Sequence, residues 1–215
     1  MKKMLMIAVM AVACLTANAQ NEVGQFTLQP KIGMNIANLT GVKYYVGSKE
    51  ENSNFMVDFA IGIEGEYGLA EKFSLAAGVL YSRQGCDRGK VTTFDLYDNT
   101  ESGWNKNQDK LGYLNIPIVA NYYIAKGFAI KAGIQPGFLL SAKSNVDLVG
   151  RYVYEEIDKK DFESFDLSIP IGLSYETDNI VIDGRYNLGL TKVNKVGDSS
   201  KNSVIQFTLG YKFAL

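Results

Sequence analysis

A strict alternation of apolar and mixed residues over 113–124, YLNIPIVANYYI, constrains this chain more than any other feature. Every second residue belongs to an almost wholly apolar face, which consists of Leu114, Ile116, Ile118, Ala120, Tyr122 and Ile124. Successive side chains of an extended strand point to opposite sides, whereas side chains on one helix face recur about every 3.6 residues. A period of two therefore predicts a β-strand.

The same pattern is repeated further along the chain. Segment 167–175, LSIPIGLSY, matches 114–122, LNIPIVANY, as L-x-I-P-I-x-x-x-Y. Neighbouring segments also correspond, because 73–79, FSLAAGV, resembles 128–134, FAIKAGI. The repeating unit is thus a pair of strands with a period of about 55 residues, which predicts an array of hairpins.

The connections between the predicted strands alternate between short and long. Short turns are expected at 69–72, 125–127 and 177–179, and long polar stretches at 40–54, 86–109, 142–161 and 192–202. Each apolar stripe covers about 10 residues and, with a tilt near 40°, spans about 25 Å, the height of an outer-membrane apolar band. The chain is therefore predicted to be all-β, an eight-stranded antiparallel up-and-down transmembrane β-barrel with long extracellular loops and short periplasmic turns.

A secreted, water-soluble barrel of the lipocalin kind is the main structural alternative, with the same period but its apolar face inward. Aromatic side chains near the ends of the stripes favour the membrane barrel, since such rings suit the membrane interface; they are Tyr67, Tyr81, Tyr122, Tyr175, Tyr186, Tyr211 and Phe213. The opposite face is rich in Gly, Ala, Ser and Asn, whereas a soluble exterior is usually dense in Lys and Glu.

Four prolines fall inside the predicted strands: Pro30, Pro117, Pro136 and Pro170. Each lacks the N–H that a strand donates to its neighbour. We expect β-bulges at these positions, because a bulge accommodates a missing ladder bond.

The N-terminus has the features of a secretory signal peptide. Two lysines precede an apolar run at 4–15, and a small-x-small site, Ala-Asn-Ala, follows at 17–19. The run is shorter than the roughly 20 residues of a membrane-spanning helix. We predict a signal peptide at 1–19, cleaved after Ala19, and an outer-membrane barrel domain at 20–215; a lipidated Cys14 is the alternative.

Charge and composition exclude several functions. Removal of the predicted signal peptide takes away Lys2 and Lys3 and no acidic residue, so the formal charge changes from −1 to −3. Such a chain has no electrostatic reason to bind nucleic acid. The absence of His excludes Ser-His and Cys-His nucleophile pairs and His-ligated metals. We therefore predict a protein that is not an enzyme, with no catalytic residue, cofactor or metal.

Six charged residues are predicted to face the lumen in its periplasmic half: Lys31, Glu64, Glu66, Lys131, Asp183 and Arg185. Isolated charges in a narrow lumen are costly, so we expect them to pair across it. A polar plug that keeps the barrel closed is favoured over a proton or ion path. Glu64 and Glu66 also share one strand face as an acid/base or metal pair would, but any two residues at this spacing do so.

Trp104 is a candidate contact residue for a partner or a glycan. It lies among Glu101, Asn105, Lys106 and Asn107 in the longest polar stretch, and exposed aromatic residues favour recognition. The alternative is a tryptophan that folds back onto the barrel rim.

Five motifs resemble the PorT-like outer-membrane β-barrel family of Bacteroidetes. They are I-G-M-N at 32–35, E-Y-G-L at 66–69, SLAAGVLYSRQG at 74–85, YLNIPI at 113–118 and T-L-G-Y-K-F at 208–213. The resemblance covers nearly the whole chain after the predicted signal peptide and concerns the residues that build a barrel. It implies a link to an apparatus that exports proteins across the outer membrane.

Two functions from different classes follow. The first is a non-enzymatic structural or interaction component of the outer membrane, linked to protein export and acting through its external loops or periplasmic rim. The second is a narrow channel for ions or small solutes. The expected partners are outer-membrane lipid and other envelope or secretion proteins, with the barrel itself monomeric.

Overall fold

A computed structural model describes residues 23–46, 49–95, 100–148, 151–155, 159–195 and 199–215, with side chains outside 43–49, 51, 90–107 and 144–155. The predicted signal peptide and its cleavage site lie outside this part of the chain. The strands are β1 (Phe26–Thr40), β2 (Lys43–Val46), β3 (Lys49–Asn52), β4 (Met56–Ala70), β5 (Phe73–Asp95), β6 (Thr100–Asn115), β7 (Ile118–Ala125), β8 (Phe128–Leu148), β9 (Arg151–Glu155), β10 (Phe165–Thr177), β11 (Ile180–Gly189), β12 (Lys201–Tyr211) and β13 (Phe213–Ala214). A 3₁₀ turn, η1, covers Lys159–Asp161.

Eight antiparallel strands form a closed ring. Its order is β1, β4, β5, the collinear pair β6 and β7, β8, β10, β11 and β12, with β13 continuing β12 beside β1. The ring closes where β12 pairs with β1, from Lys31 opposite Gly210 to Thr40 opposite Lys201. The predicted eight-stranded up-and-down β-barrel is confirmed.

Tight turns lie at one end of the barrel and long connections at the other. The two-residue connection between β10 and β11 places Asp178 and Asn179 at positive φ, 46° and 70°. This backbone twist matches that of the flanking strands, as in a type I′ hairpin. Membrane barrels place their tight turns on the periplasmic side, so the long connections are extracellular.

The outer surface of the ring carries a lipid-facing belt of exposed apolar side chains. Examples on β4 and β12 are Val57, Phe59, Ile61, Ile63, Ile205, Phe207, Leu209 and Tyr211. The residues between them point inward, which gives β11 and β12 their alternating burial. A soluble barrel has the opposite arrangement. Within the described residues, no helix is long and apolar enough to span a membrane.

The long polar connections contain further strands that the residue pattern did not predict. β5 continues to Asp95 and pairs with β6 from Thr100 onward, forming a two-stranded ribbon outside the ring. β2 and β3 form a hairpin within 40–54, and β9 pairs with the extended end of β8. In these strands the backbone hydrogen bonds of the sheet continue, but the sequence contains no alternating apolar face. The residue pattern therefore does not predict them.

The prediction of bulges at the prolines was also wrong. The register shifts occur elsewhere, between Gly68/Ala70, Asp87/Lys90, Thr92/Thr93, Gly112/Tyr113 and Tyr123/Ala125. Each proline instead stands where at least one of its two ladders is interrupted without a change of register. Pro117 separates β6 from β7, and Pro30 lies where β1 passes from β13 to β12. A missing donor is thus accommodated by a local gap in hydrogen bonding.

Candidate functional site in the barrel lumen

A central charge cluster occupies the lumen, formed by Lys31, Glu64, Lys131, Asp183 and Arg185. Glu64 accepts hydrogen bonds from Lys31 Nζ at 3.0 Å and from Arg185 Nη2 at 3.0 and 3.2 Å. Asp183 accepts from Lys131 Nζ at 2.6 Å and from Arg185 Nε at 2.7 Å. The five side chains are at most 4% exposed. The structure therefore brings five of the six predicted lumen charges into one cluster.

This central charge cluster crosses the lumen. Arg185 on β11 binds Glu64 on β4, and these strands are not neighbours in the ring. Lys131 on β8 also approaches Glu64, at 3.8 Å between Nζ and Oε1. Charges removed from water are stable only when they are paired and hydrogen-bonded, so each side chain holds the others in place.

A second, periplasmic charge cluster surrounds Glu66, the sixth predicted residue. Lys212 Nζ lies 3.1 Å from Glu66 Oε2 and 2.5 Å from Glu176 Oε2. Tyr123 Oη and Ser74 Oγ donate to Glu66 Oε1 at 2.6 and 2.5 Å. Together the two clusters contain four cations and four carboxylates, so their charges balance.

Lys212, Glu176 and Tyr123 are lumen residues that were not predicted from the sequence. Lys212 directly follows β12 and continues the inward-facing series of Gln206 and Thr208, so the period of two was sufficient to place it inside. Tyr123 has the same parity as Asn121 within 113–124, and the mixed composition of that face concealed its role.

A neutral polar layer lies on the extracellular side of the central charge cluster. Asn35 donates to Ser82 Oγ at 2.8 Å and accepts from Gln206 Nε2 at 2.8 Å, which links β1, β5 and β12. Asp166 on β10, a buried carboxylate outside this neutral layer, accepts from Thr191 Oγ1 at 2.7 Å. Polar side chains from facing walls therefore continue to fill the interior toward its outer end.

An apolar outer cluster fills the extracellular mouth of the barrel. It consists of Leu39, Cys86, Leu111, Tyr113, Leu139, Ala142, Phe162 and Val193. Phe162 and Val193 come from extracellular connections, which are joined by a hydrogen bond from Glu163 N to Val193 O at 2.8 Å. The connections thus fold inward over the mouth instead of surrounding an opening.

Cys86 is a buried free thiol in this apolar outer cluster, beyond the membrane-spanning part of β5. Burial, assisted by the charge of Asp109, raises its pKa to about 12. The thiolate is the reactive form of cysteine, and it is scarce at neutral pH for such a group. Cys86 is therefore a packing residue of the mouth.

Trp104 and the Glu64–Glu66 pair are the other candidates that the sequence suggested. Trp104 lies in β6 opposite Thr92, on the extracellular ribbon and not on a loop, and its side chain is outside the described part of the chain. Glu64 and Glu66 belong to different clusters, each paired with cations. Within the described ranges, no three Cys, Asp or Glu side chains converge as metal ligands.

The belt, the closed ring and the filled interior define an antiparallel β-barrel of the membrane type. The chain belongs to the family described as outer membrane protein beta-barrel domain, whose match covers residues 18–195. It is accordingly an outer-membrane barrel protein.

Solved outer-membrane barrels are similar to this chain over most of its length. Ail, the attachment invasion locus protein of Yersinia pestis, is 15% identical over 89% of this chain and 100% of its own, with a TM-score of 0.48. Neisserial surface protein A is 15% identical over 87% and 97%, with a TM-score of 0.44. OprG from Pseudomonas aeruginosa is 12% identical over 90% and 97%, with a TM-score of 0.44. No curated protein matches the sequence.

Proposed function

We propose that this protein is a non-enzymatic outer-membrane barrel with a sealed lumen, which acts as a structural or interaction component of the envelope. The observation that carries the proposal is the filled interior. Two charge clusters, a neutral polar layer and the apolar outer cluster follow one another from the periplasmic to the extracellular end.

A passing ion would have to separate the buried pairs of the central charge cluster. Arg185, for example, binds carboxylates on two strands, Glu64 on β4 and Asp183 on β11. Breaking such buried pairs costs several kcal/mol, about 3–5 when a partner is lost. The ion would then meet the apolar outer cluster, in which most side chains offer it no ligand. This series of barriers favours a closed barrel over the narrow channel that we keep as the alternative.

The extracellular ribbon of β5 and β6 is the surface we assign to partner contact. β5 continues from Tyr81, near the end of the lipid-facing belt, to Asp95. At about 3.3 Å per residue this extension reaches up to roughly 45 Å along the strand. Recognition in rigid scaffolds is concentrated in such projecting segments. The proposed link to protein export rests on the resemblance to the PorT-like family, and its test is whether secreted proteins accumulate in the periplasm when the gene is deleted.

The test of the sealed lumen is single-channel conductance of the refolded mature protein in a planar bilayer. We expect no conductance steps from the wild type over the range in which a general porin opens. Heat-dependent gel mobility verifies that the same preparation is folded. Steady, ion-selective conductance from the folded wild type contradicts the proposal and establishes the channel instead.

A further inference from the structure

Three cations cluster on the outer surface of the barrel, away from the lumen. Arg83 on β5, Lys110 on β6 and Lys143 on β8 surround a depression of about 340 Å³, whose lining also includes Phe59, Tyr81 and Ser141. Arg83 follows the outward-facing Tyr81 in the alternation of β5, and Lys143 is itself exposed. We call these residues the outer cationic patch.

The outer cationic patch lies at the extracellular edge of the lipid-facing belt. Tyr81 precedes Arg83 by two residues, and the exposed Leu140 precedes Lys143 by three. Both strands then continue into the extracellular region. This edge is the level of the head groups of the outer leaflet.

The two lysines of the patch form an unfavourable pair. Lys110 and Lys143 are direct cross-strand partners, and like charges in that position destabilise a sheet. Within the described residues, neither has a carboxylate partner. Asp58 is bound by Arg83 at 3.4 Å, and the Arg83 guanidinium lies 5.6 Å from the Phe59 ring centroid. The patch therefore has a formal excess of two positive charges.

A glycine opens the floor of the depression. A Cβ at Gly112 would lie 2.5 Å from Ser141 Oγ and 2.8 Å from Tyr81 Oη, so a larger residue would displace both hydroxyls. With glycine there, two hydroxyl donors stand among three cations. Arg and hydroxyl groups at such spacing suit the oxygen atoms of a phosphate.

We propose that the outer cationic patch binds the phosphate group of a lipid in the outer leaflet. A phosphate monoester carries a charge of about −1.5 to −2, which offsets the excess of the patch and relieves the Lys110–Lys143 repulsion. The acyl chains lie along the belt below, on Phe59, Tyr81 and Leu140. A dissolved anion would make no contact with this apolar surface, whereas a lipid is bound through its phosphate and through its acyl chains.

The experiment is native mass spectrometry of the folded, detergent-purified protein with phosphorylated lipid A, with the same glycolipid after removal of its phosphates, and with inorganic phosphate. We compare the wild type with the double variant Lys110→Gln/Lys143→Gln. Lys72→Gln/Lys126→Gln, at the periplasmic turns, is the matched control because it removes the same charge. Gel mobility verifies that all three barrels are folded.

We expect the wild type and the control to retain one phosphorylated lipid. The patch variant should bind it at least about tenfold more weakly, because two charge-assisted contacts are lost. Equal binding of the dephosphorylated glycolipid would overturn the proposal, as would an equal loss in the control. Displacement of the lipid by equimolar inorganic phosphate would show a general anion site, which also contradicts a lipid site.

Discussion

Arg185 illustrates how much a single side chain contributes inside this barrel. Its guanidinium binds both oxygens of Asp183 through Nε and Nη2, and Nη2 also binds Glu64 across the lumen. A lysine can bridge two carboxylates, as Lys212 does, but its ammonium lacks the planar fork of donors that binds both oxygens of Asp183. The geometry of the hydrogen-bonding groups, as well as their charge, therefore determines how the side chains of the lumen are arranged.

The pairing of cations with carboxylates in the two clusters leads to a first prediction. Glu64→Gln leaves three cations in the central charge cluster with only Asp183, so we expect the free energy of unfolding to fall by about 3–5 kcal/mol. Glu176→Gln makes the same chemical change, but leaves Lys212 paired one to one with Glu66. The free energy of unfolding should therefore fall clearly less in Glu176→Gln than in Glu64→Gln.

Urea titration of both variants in lipid vesicles, followed by gel mobility, measures this difference. Both glutamates are buried, 2% and 8% exposed, so burial alone does not separate them. Equal losses would show that pairing within the clusters does not determine the stability of the barrel.

At the scale of a single element, the ribbon of β5 and β6 depends on Gly85. Its φ of 131° is one that side chains rarely adopt, and a Cβ there would collide with the carbonyl oxygen of Asp109. We expect Gly85→Ala to loosen the ribbon, at a cost of about 1–3 kcal/mol for the strained backbone. Amide hydrogen exchange should accelerate in 86–95 and 100–109, while β11 and β12 stay protected.

Gly184→Ala is the matched control for this change. Its Cβ would meet only the edge of the Phe207 ring, at 3.3 Å, and that ring faces lipid and can move. Exchange in the ribbon should be unaltered. Faster exchange throughout the barrel in Gly85→Ala would instead indicate that Gly85 supports the whole ring.

The period of two predicted the strands of the ring well, because lipid on one side and a filled lumen on the other force each residue to a definite face. This period predicted that the side chains of Lys31 and Glu64 point inward, and the structure buries both of them in the lumen. It did not predict which cation pairs with which carboxylate, because that pairing depends on the register of the strands around the ring. It also failed for the ribbon, because the sequence at 90–95 and 100–106 contains no alternating apolar stripe.

For the whole molecule, the central charge cluster and the apolar outer cluster act as two seals in series. We predict that neither Asp183→Ala/Arg185→Ala nor Leu111→Ala/Leu139→Ala conducts alone, because each leaves the other seal intact. The first pair removes one cation and one carboxylate, so it creates no new charge imbalance. The fourfold variant should conduct in a planar bilayer, and conductance from either double variant would show a single seal.

The pairing of β1 with β12 joins residues that are far apart in the chain, such as Lys31 and Gly210, which are separated by about 180 positions. Until β12 arrives, β1 and the most recently added strand each present a row of unpaired backbone groups, and lipid cannot satisfy them. No partial ring is therefore stable in the membrane. Insertion must be postponed until synthesis of the ring is complete, so the cell has to keep the unfolded chain from pairing with its own copies while it crosses the periplasm.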